Sequence, residues 1–411
     1  MPRLSQDPAH LAPFIVTPLA STQARRVQTA NTSANRPSTS IREVGNDTFV
    51  GIAFDPTDTT ISVEANLVNA RLLSLFANYT PGHLWNDKSL QDMIGYADVD
   101  LLMMQRNTAK NAWLQSVYVR QAAVNSYRLA ASTTDSATET FDLSASNKTA
   151  FEKFVQVDNL VAPSTGHPGY TLTATPITLM RGQLSGNQLI SAAFSQPSGA
   201  TTYMLETTDY TVTGTAVSIS NTTITAQIVA GTQFLFAYQK TTPGGDPFQA
   251  KDTTSPAAIR GYYHIPITIT ANSPNGMVAK GVQNIEATMS FNANEEFGMG
   301  SQEVGQYRDV PAEVAGNITI FSQNYDAEKL MIGGDAVNPI NSDFPIEAFR
   351  NDIAFKIEFK HPDTRAVLRV DVLSGLTIVG EGKDVAVGQQ VGKQYNIQSA
   401  ANFTWYVSKL A

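Results

Sequence analysis

The sequence contains no cysteine, and charged residues make up only 16% of its 411 positions, where about a quarter is usual. The lack of cysteine excludes disulfide scaffolds, thiolate metal sites and cysteine nucleophiles. Apolar residues account for 42% of the chain, and Ser, Thr, Asn and Gln fill much of the remainder. This composition is typical of β-sheets with hydroxyl-rich outer faces, and the length allows two or three domains.

Long apolar runs are also missing. No stretch approaches the roughly 20 apolar residues of a membrane-spanning helix, and the start of the chain lacks the charged segment and apolar run of a signal peptide. We therefore expect no membrane partner and synthesis in a cytoplasm. A net charge of −8 gives no general attraction for phosphates, which argues against a protein that grips nucleic acid along an extended surface.

Recognisable catalytic motifs are absent from the sequence. There is no G-x-S-x-G nucleophile elbow and no H-E-x-x-H zinc motif. The segment Gly380–Asp384 comes closest to a phosphate-binding loop, but it lacks the leading spacing and the Ser or Thr that would hold magnesium, so we predict a β-turn there. The five histidines have no spacing that suggests a zinc or iron site; they are His10, His83, His167, His264 and His361.

Two acidic pairs, Asp98/Asp100 and Glu295/Glu296, are the candidates for the two carboxylates of a glycosidase. In a chain with 36 acidic residues we expect such pairs to be solvated or engaged in ion pairs.

The segment Asn292–Glu296 lacks the alternating ligands and the central glycine of a calcium loop. The tryptophans are too dispersed for a stacking platform, and we expect them in the core; they are Trp85, Trp113 and Trp405. We therefore predict no enzyme: no catalytic, cofactor-binding or metal-binding residue, and no cofactor.

Composition divides the chain into segments. Residues 1–45 are rich in Pro, Ser, Thr and Asn and contain five Arg, which predicts an extended N-terminal arm that either orders on a neighbouring subunit or stays a disordered tail. Residues 156–255 contain about six short strands separated by turn residues, which predicts an inserted Ig-like β-sandwich. Residues 46–155 and 256–411 carry longer alternating strands, and we predict that they form one discontinuous domain.

Few helices interrupt these strands. Alternation over residues 60–79 predicts a strand that leads to a short helix or a second strand. A helical turn is predicted at Leu90–Ile94, followed by a strand at Val99–Met104. Polar caps and glycines predict two further short helices, at Ala327–Met331 and Phe344–Arg350. The fold class is therefore mainly β with short helices.

Three stretches, which cover roughly half the chain, carry a family likeness. In residues 95–151 an acidic strand, a strand pair and a polar turn lead into the segment Ala137–Phe141. Residues 372–400 include an Asp-Val-x-Val-Gly turn at Asp384–Gly388. The stretch 282–321 is the most specific, with a Val-Gln strand start, an acidic residue before Gly-Ser, a Tyr-Arg pair and a Pro before the next strand; these are Val282, Gln283, Glu296, Gly300, Ser301, Tyr307, Arg308, Pro311 and Val314. Together they resemble the tail tube proteins, or major tail proteins, of tailed bacteriophages, although Met299 stands where that family often has Leu.

This resemblance implies a tail-tube-like β-sandwich or barrel that forms hexameric rings, which stack into a tube with a channel for the genome. The implied partners are copies of the chain itself, the tape measure, terminator and baseplate or tip proteins, and a sheath where the tail contracts. DNA would pass without specific binding, which suits the acidic balance. The implied location is the virion, assembled in the host bacterial cytoplasm. We further expect the arm to clasp a neighbour and the sandwich to project outside the tube.

Two other classes remain open from the sequence. A capsid or capsid-decoration protein would have the same composition, but it would lack the tube-like C-terminal strands. An Ig-like carbohydrate-binding or adhesin module would be expected to show a secretion signal or an aromatic sugar platform. A tail-associated glycosidase is the last alternative.

Overall fold

A computed structural model describes residues 10–18, 21–24, 27–35, 38–42, 49–54, 58–67, 71–76, 89–94, 98–106, 113–145, 147–151, 154–180, 185–196, 201–240, 267–271, 277–278, 281–291, 294–297, 304–308, 312–321, 352–361, 363–384 and 392–409. Antiparallel strands dominate these segments, and helices are few and short. The prediction of a mainly β fold is therefore confirmed.

The strands are numbered here in chain order. The first ten are β1 (His10–Val16), β2 (Ser21–Gln23), β3 (Val27–Asn35), β4 (Ser38–Arg42), β5 (Phe49–Phe54), β6 (Asp58–Asn66), β7 (Asp98–Arg106), β8 (Trp113–Ser132), β9 (Thr138–Ala145) and β10 (Asn147–Phe151). The next seven are β11 (Val155–Val161), β12 (Gly169–Thr171), β13 (Ser191–Ser195), β14 (Thr201–Tyr203), β15 (Tyr210–Thr213), β16 (Ala216–Ile219) and β17 (Gln233–Gln239). The last nine are β18 (Ile267–Ala271), β19 (Met277–Val278), β20 (Val282–Ser290), β21 (Asn294–Phe297), β22 (Val304–Arg308), β23 (Glu313–Phe321), β24 (Ile353–Lys360), β25 (Val367–Asp384) and β26 (Gly392–Lys409).

Three helices lie among the described residues: α1 (Arg71–Phe76), α2 (Leu90–Ile94) and α3 (Thr222–Gln227). The predicted helical turn at Leu90–Ile94 is α2, and β7 covers the predicted strand at Val99–Met104. The strand predicted within 60–79 leads into a helix, α1, rather than a second strand. The helices predicted at Ala327–Met331 and Phe344–Arg350 lie outside the described residues.

Most strands belong to one large sheet with the order β19-β18-β24-β25-β26-β23-β20-β8-β7-β1-β2. The long strand β8 is its branch point, because its first half pairs with β7 and β10 and its second half pairs with β9 and β20. The halves meet at Gln121, whose φ of 53° is rare for a residue with a side chain. From β9 the sheet continues to β6 and β3.

The large sheet folds over on itself around a single core. In β24 every second side chain, from Ile353 to Phe359, is buried, as expected for a strand with one face in a core. Strands β9 and β25 are not neighbours in the sheet, yet Glu139 of β9 contacts Arg369 of β25 at 3.1 Å. The helix α1 adds to this core, since Phe76 stacks on Phe141 of β9 with ring centroids 4.2 Å apart.

The described part of residues 1–45 pairs with strands of its own chain, which differs from the arm predicted to reach a neighbour. Strand β1 pairs along its whole length with β7, and β3 pairs with β6. The physical reason is the short apolar run Phe14–Val16, whose three side chains are buried. The average composition of residues 1–45 does not reveal this apolar run, because most residues of the segment are polar.

Residues 155–239 contribute two separate sheets, where an inserted sandwich was predicted over 156–255. One has the order β11-β17-β13-β14 and the other β12-β16-β15, and neither pairs with a strand of the large sheet among the described residues. Their shared apolar core includes Tyr170, Phe194 and Phe234. This two-sheet unit is called the sandwich below.

The segment Gly380–Asp384, predicted as a β-turn, is instead part of β25 and pairs with β26, so that prediction is wrong. Its glycines suggested a turn, but Gly380 and Gly382 lie opposite Asn396 and Gln394 in the ladder, just after a register shift between Ile378 and Gly380. A Cβ on Gly380 would meet the Asn396 amide nitrogen at 3.1 Å, so glycine provides room for the neighbouring side chain. Tertiary pairing has overridden local turn propensity.

Candidate functional site

One side of the large sheet carries mainly hydroxyl, amide and carboxylate side chains across eight adjacent strands, from β3 through β6, β9, β8, β20, β23 and β26 to β25. Because side chains alternate along each strand, these residues point away from the core. We call this surface the polar face; its residues are Thr29, Asn31, Ser33, Thr60, Ser62, Glu64, Ser126, Arg128, Thr138, Thr140, Asp142, Asn284, Glu286, Thr288, Ser290, Asn317, Thr319, Thr377, Gln394, Asn396 and Gln398.

Contacts between neighbouring strands tie the polar face together. The Ser126 hydroxyl donates to Asp142 Oδ2 at 2.9 Å, between β8 and β9. Arg128 Nε lies 2.8 Å from Glu286 Oε1, between β8 and β20. With Glu64 also on this surface, three carboxylates face a single guanidinium within the polar face. Its net charge is therefore negative, and it offers no array of cations for phosphates.

Strand β3 forms one border of the polar face. Among the described residues β6 is the one strand that pairs with it, and Lys148 Nζ donates to the Thr32 carbonyl at 3.2 Å. The nine residues Val27–Asn35 contain no charge and no proline. Charges and prolines are the usual means by which proteins protect an edge strand from pairing with another chain. The β3 edge therefore has the features of a surface that can accept another strand.

A group of charged side chains lies inside the core of the large sheet. Arg369 and Asp371 are fully buried, and their side chains form two contacts: Nε to Oδ1 at 2.6 Å and Nη2 to Oδ2 at 2.8 Å. Arg369 Nη1 also donates to Glu139 Oε2 at 3.1 Å, and Nη2 donates to the Tyr127 hydroxyl at 2.7 Å. Trp405 Nε1 donates to Asp371 Oδ2 at 3.3 Å. These five residues are called the buried network.

The buried network joins strands β8, β9, β25 and β26. Burial raises the pKa of Glu139 to about 7, although Arg369 opposes this shift. Burial likewise raises the pKa of the Tyr127 hydroxyl well above its usual value. The residues of the network hydrogen-bond to one another within the core, and none of them lines the cavity beside Arg120 and Tyr210 or the cavity beside Ser33 and Asp142. We assign it a structural role.

A further buried carboxylate, Asp100, lies where the sandwich meets the large sheet. It accepts hydrogen bonds from the Tyr118 hydroxyl at 2.6 Å, the Gln121 backbone N–H at 2.8 Å and the Tyr203 hydroxyl at 2.8 Å. Tyr203 belongs to β14 of the sandwich, whereas Tyr118 and Gln121 belong to β8. An apolar cluster that includes Leu102 and Leu235 surrounds this contact. Asp100 therefore connects the two parts of the molecule, instead of being solvated or ion-paired as predicted.

The other predicted candidates do not assemble into a site. The His167 ring packs edge-on against Tyr170, with centroids 5.3 Å apart. His361 Nδ1 accepts backbone N–H groups within its own turn, from Asp363 at 3.1 Å and Thr364 at 3.3 Å. Across the described part of the chain, no group of three or more His, Asp or Glu side chains could hold a metal ion. His10 is placed through its backbone in β1, and His83 and His264 lie outside the described residues.

The remaining acidic and aromatic candidates are also dispersed. Asp98 begins β7, and Glu295 and Glu296 lie in β21 opposite β22. Trp405 is fully buried, which confirms its predicted core position. Trp113 begins β8, and Trp85 lies outside the described residues. The segment Asn292–Glu296 is only partly described, as the start of β21.

The residues that carry the family likeness fall on defined elements where the structure describes them. Val282 and Gln283 begin β20, and Val314 is buried on β23. Glu296 lies on β21, which pairs with the strand β22 that holds Tyr307 and Arg308. Of Ala137–Phe141, the residues Ala137, Glu139 and Phe141 are buried, and Asp384 ends β25. Outside the described residues lie Met299, Gly300, Ser301, Pro311 and 385–388.

Sequence reasoning missed Arg369, Asp371 and Tyr127. The one available signal was two charged residues at alternate positions of a strand otherwise made of Val and Leu, VLRVDVL.

No helix within the described ranges is both long and apolar enough to cross a membrane. No family model matches the chain, and no curated protein matches it either.

Proposed function

We propose that this chain is the tail tube protein of a tailed bacteriophage, which polymerises as stacked rings, hexameric by the family likeness, around a channel for the genome. The observation that carries the proposal is the polar face: one continuous, net negative surface across eight strands of a single curved sheet. A solvated polar face is common on antiparallel sheets, and the feature that favours a tube is a face of this extent with few cations. The inner wall of a tube that DNA crosses needs such a surface, because a wall of cations would retard the phosphates.

We assign the polar face to the channel. Its hydroxyl and amide groups keep the surface hydrated, and carboxylates such as Glu64 and Asp142 repel the phosphate backbone weakly at physiological salt. The adjacent strand β24 carries Lys356 and Lys360 around Glu358, with Lys356 Nζ 2.8 Å from Glu358 Oε1. Those cations are therefore partly neutralised within their own strand. The channel wall remains net negative in this arrangement.

Ring closure in this proposal uses the β3 edge. Closing a ring of sheets removes the exposed edges that a single subunit presents. The uncharged edge of Val27–Asn35 would accept a strand from the next subunit. The sandwich lies on the outside of the tube, since a further domain in the channel would block it. A reconstruction of the tube with the sandwich inside the channel would contradict this arrangement.

The partners follow from the proposed tube. They are further copies of the chain, a tape measure protein within the growing tube, terminator and baseplate or tip proteins at its two ends, and a sheath where the tail contracts. DNA passes through without sequence-specific contacts. The location is the virion, after assembly in the bacterial cytoplasm, and the chain itself catalyses no reaction.

Electron microscopy of the purified chain tests the proposal. We expect hollow rods or six-fold rings in negative stain. Icosahedral shells would point to a capsid protein, and persistent monomers at high concentration would contradict a tube.

Two substitutions at the edge make the test specific. The double variant Asn31→Lys with Ser33→Lys places two cations on the β3 edge, where charged side chains oppose strand addition. We expect a folded monomer that no longer forms rods. The matched control is Ser218→Lys, which adds a cation at an exposed position of β16 in the sandwich and leaves rods unchanged. Rods from the double variant at wild-type yield would exclude the β3 edge as the ring contact.

A further inference from the structure

The buried network holds more negative than positive charge if all its acids are ionised. Arg369 supplies one cation, whereas Asp371 and Glu139 are two carboxylic acids, and the three side chains are at most 2% exposed. An uncompensated charge in such a place carries a desolvation penalty that proteins usually avoid by holding a proton. One of the two acids is therefore the site of a bound proton.

The geometry distinguishes the two acids. Asp371 receives the planar fork of Arg369 through both carboxylate oxygens, at 2.6 Å and 2.8 Å, and also the Trp405 N–H at 3.3 Å. Glu139 receives a single N–H from Arg369 at 3.1 Å, and the Tyr127 hydroxyl is 3.5 Å from the same oxygen. The bidentate pair is the arrangement that stabilises an ionised carboxylate most strongly. Glu139 is the acid that keeps its proton.

The charged and titratable groups that face Glu139 come from two strands among the described residues. Tyr127 of β8 and both Arg369 and Asp371 of β25 act on it. The neighbours of Glu139 in the ladder are Leu129 of β8 and Ala65 of β6, which carry no charge.

We propose that Glu139 is protonated in the folded protein and acts as a proton-controlled lock between β9 and β25, which loosens when a rise in pH removes the proton. With Glu139 neutral, the cluster contains one cation and one anion and is balanced. Loss of the proton leaves one uncompensated carboxylate in the core beside Asp371. This inference concerns the single subunit and holds whether or not the chain forms a tube.

The direction of the pH dependence follows from linkage. Burial raises the pKa of Glu139 from 4.5 to about 7, so between these values the folded state binds more protons than the unfolded state. The stabilising effect is complete below about pH 4.5 and is lost as the pH rises through about 7. From well below pH 4.5 to well above pH 7, the unfolding equilibrium constant increases by about 300-fold from this group alone.

Infrared difference spectroscopy on the intact chain detects the proton directly. A buried carboxylic acid has a carbonyl band that disappears on ionisation, and we expect its loss in wild type between about pH 6 and pH 8. Glu139→Gln should lack this change. Glu313→Gln, which alters an exposed acid at the start of β23, should keep it. Absence of the band in wild-type protein at about pH 6 would overturn the inference, even if the variant failed to fold.

Urea unfolding at a series of pH values tests the consequence. We expect the unfolding constants of wild type and Glu313→Gln to rise between about pH 5 and pH 8, and that of Glu139→Gln to rise about 70-fold less over that range. Gln keeps an acceptor for Arg369 and carries no charge, so it reproduces the protonated state. Parallel pH profiles for wild type and Glu139→Gln would overturn the proposed lock.

Discussion

Replacing Tyr203 by Phe removes one hydroxyl from the contact that joins the sandwich to the large sheet. The ring stays, so the Arg120 guanidinium keeps its place 5.6 Å from the ring centre. What is lost is the hydrogen bond to Asp100 Oδ1 at 2.8 Å. Because Asp100 is fully buried, no bulk water can replace the lost donor. The substitution therefore measures one hydrogen bond to a buried carboxylate.

The expected loss is about 1.5–3 kcal/mol, the range for hydrogen bonds to charged groups. This corresponds to an increase of about 10- to 150-fold in the unfolding equilibrium constant. Tyr118→Phe removes the 2.6 Å bond to the other oxygen of the same carboxylate, so we expect a loss of the same size. The control is Tyr170→Phe, whose hydroxyl donates to a neutral carbonyl at 3.3 Å and should cost about 1 kcal/mol or less.

Tryptophan fluorescence during urea unfolding is the suitable assay. None of the three tryptophans lies within residues 155–239, so their emission reports on the chain outside the sandwich. Tyr203 lies inside the sandwich, and a shift of the fluorescence transition in Tyr203→Phe therefore requires coupling between the two parts. If the fluorescence transitions of wild type and Tyr203→Phe coincide, Asp100 does not couple them and the reasoning is refuted.

Three further substitutions have definite expected results. Gly316→Ala should cost about 3 kcal/mol or more in a thermal melt, because its Cβ would lie 2.1 Å from the Glu286 carbonyl oxygen; Gly382→Ala, whose nearest neighbour is 4.0 Å away, should stay within about 0.5 kcal/mol of wild type. Arg369→Met should cost about 3–5 kcal/mol in urea unfolding, because it leaves two buried acids without their cation; a loss under about 1 kcal/mol would contradict the buried network. Asn221→Ala should cost about 1 kcal/mol in a thermal melt, since Asn221 caps α3 by accepting the Thr223 N–H at 2.9 Å; an unchanged melt would contradict that cap.

The sequence predicts those strands well in which apolar and polar residues alternate cleanly. In β24, IAFKIEFK, the apolar residues are buried and the lysines and glutamate point outward, as a period of two requires. The sequence also predicts the short helix at Leu90–Ile94, because Leu90 and Ile94 are four residues apart and share one buried face. In these segments local pattern and tertiary packing favour the same structure.

The same reasoning fails where distant residues decide the outcome. In β25 the side chains of Val370 and Val372 point to one side and those of Arg369 and Asp371 to the other. Hydropathy favours burial of the valines, yet the structure buries the charged pair. The partner that makes this possible, Glu139, is 230 residues away from Arg369 in sequence. No local pattern contains that information, and the same holds for Asp100 and Tyr203, which are 103 residues apart.

The buried network helps to fix the register of β25 near Arg369 and Asp371. A slip of one residue in β25 would exchange its two sides, burying Val370 and Val372 in place of Arg369 and Asp371, but it would also expose Leu373, Leu376 and Ile378, which are buried in the structure. The slip would further expose the Arg369–Asp371 pair and leave Glu139 and Tyr127 buried without a cation, at a cost of several kcal/mol. Buried ion pairs are often no more stabilising than apolar residues of the same volume, so this one contributes mainly by acting with Leu373, Leu376 and Ile378 to select a single pairing of β25 with β24 and β26.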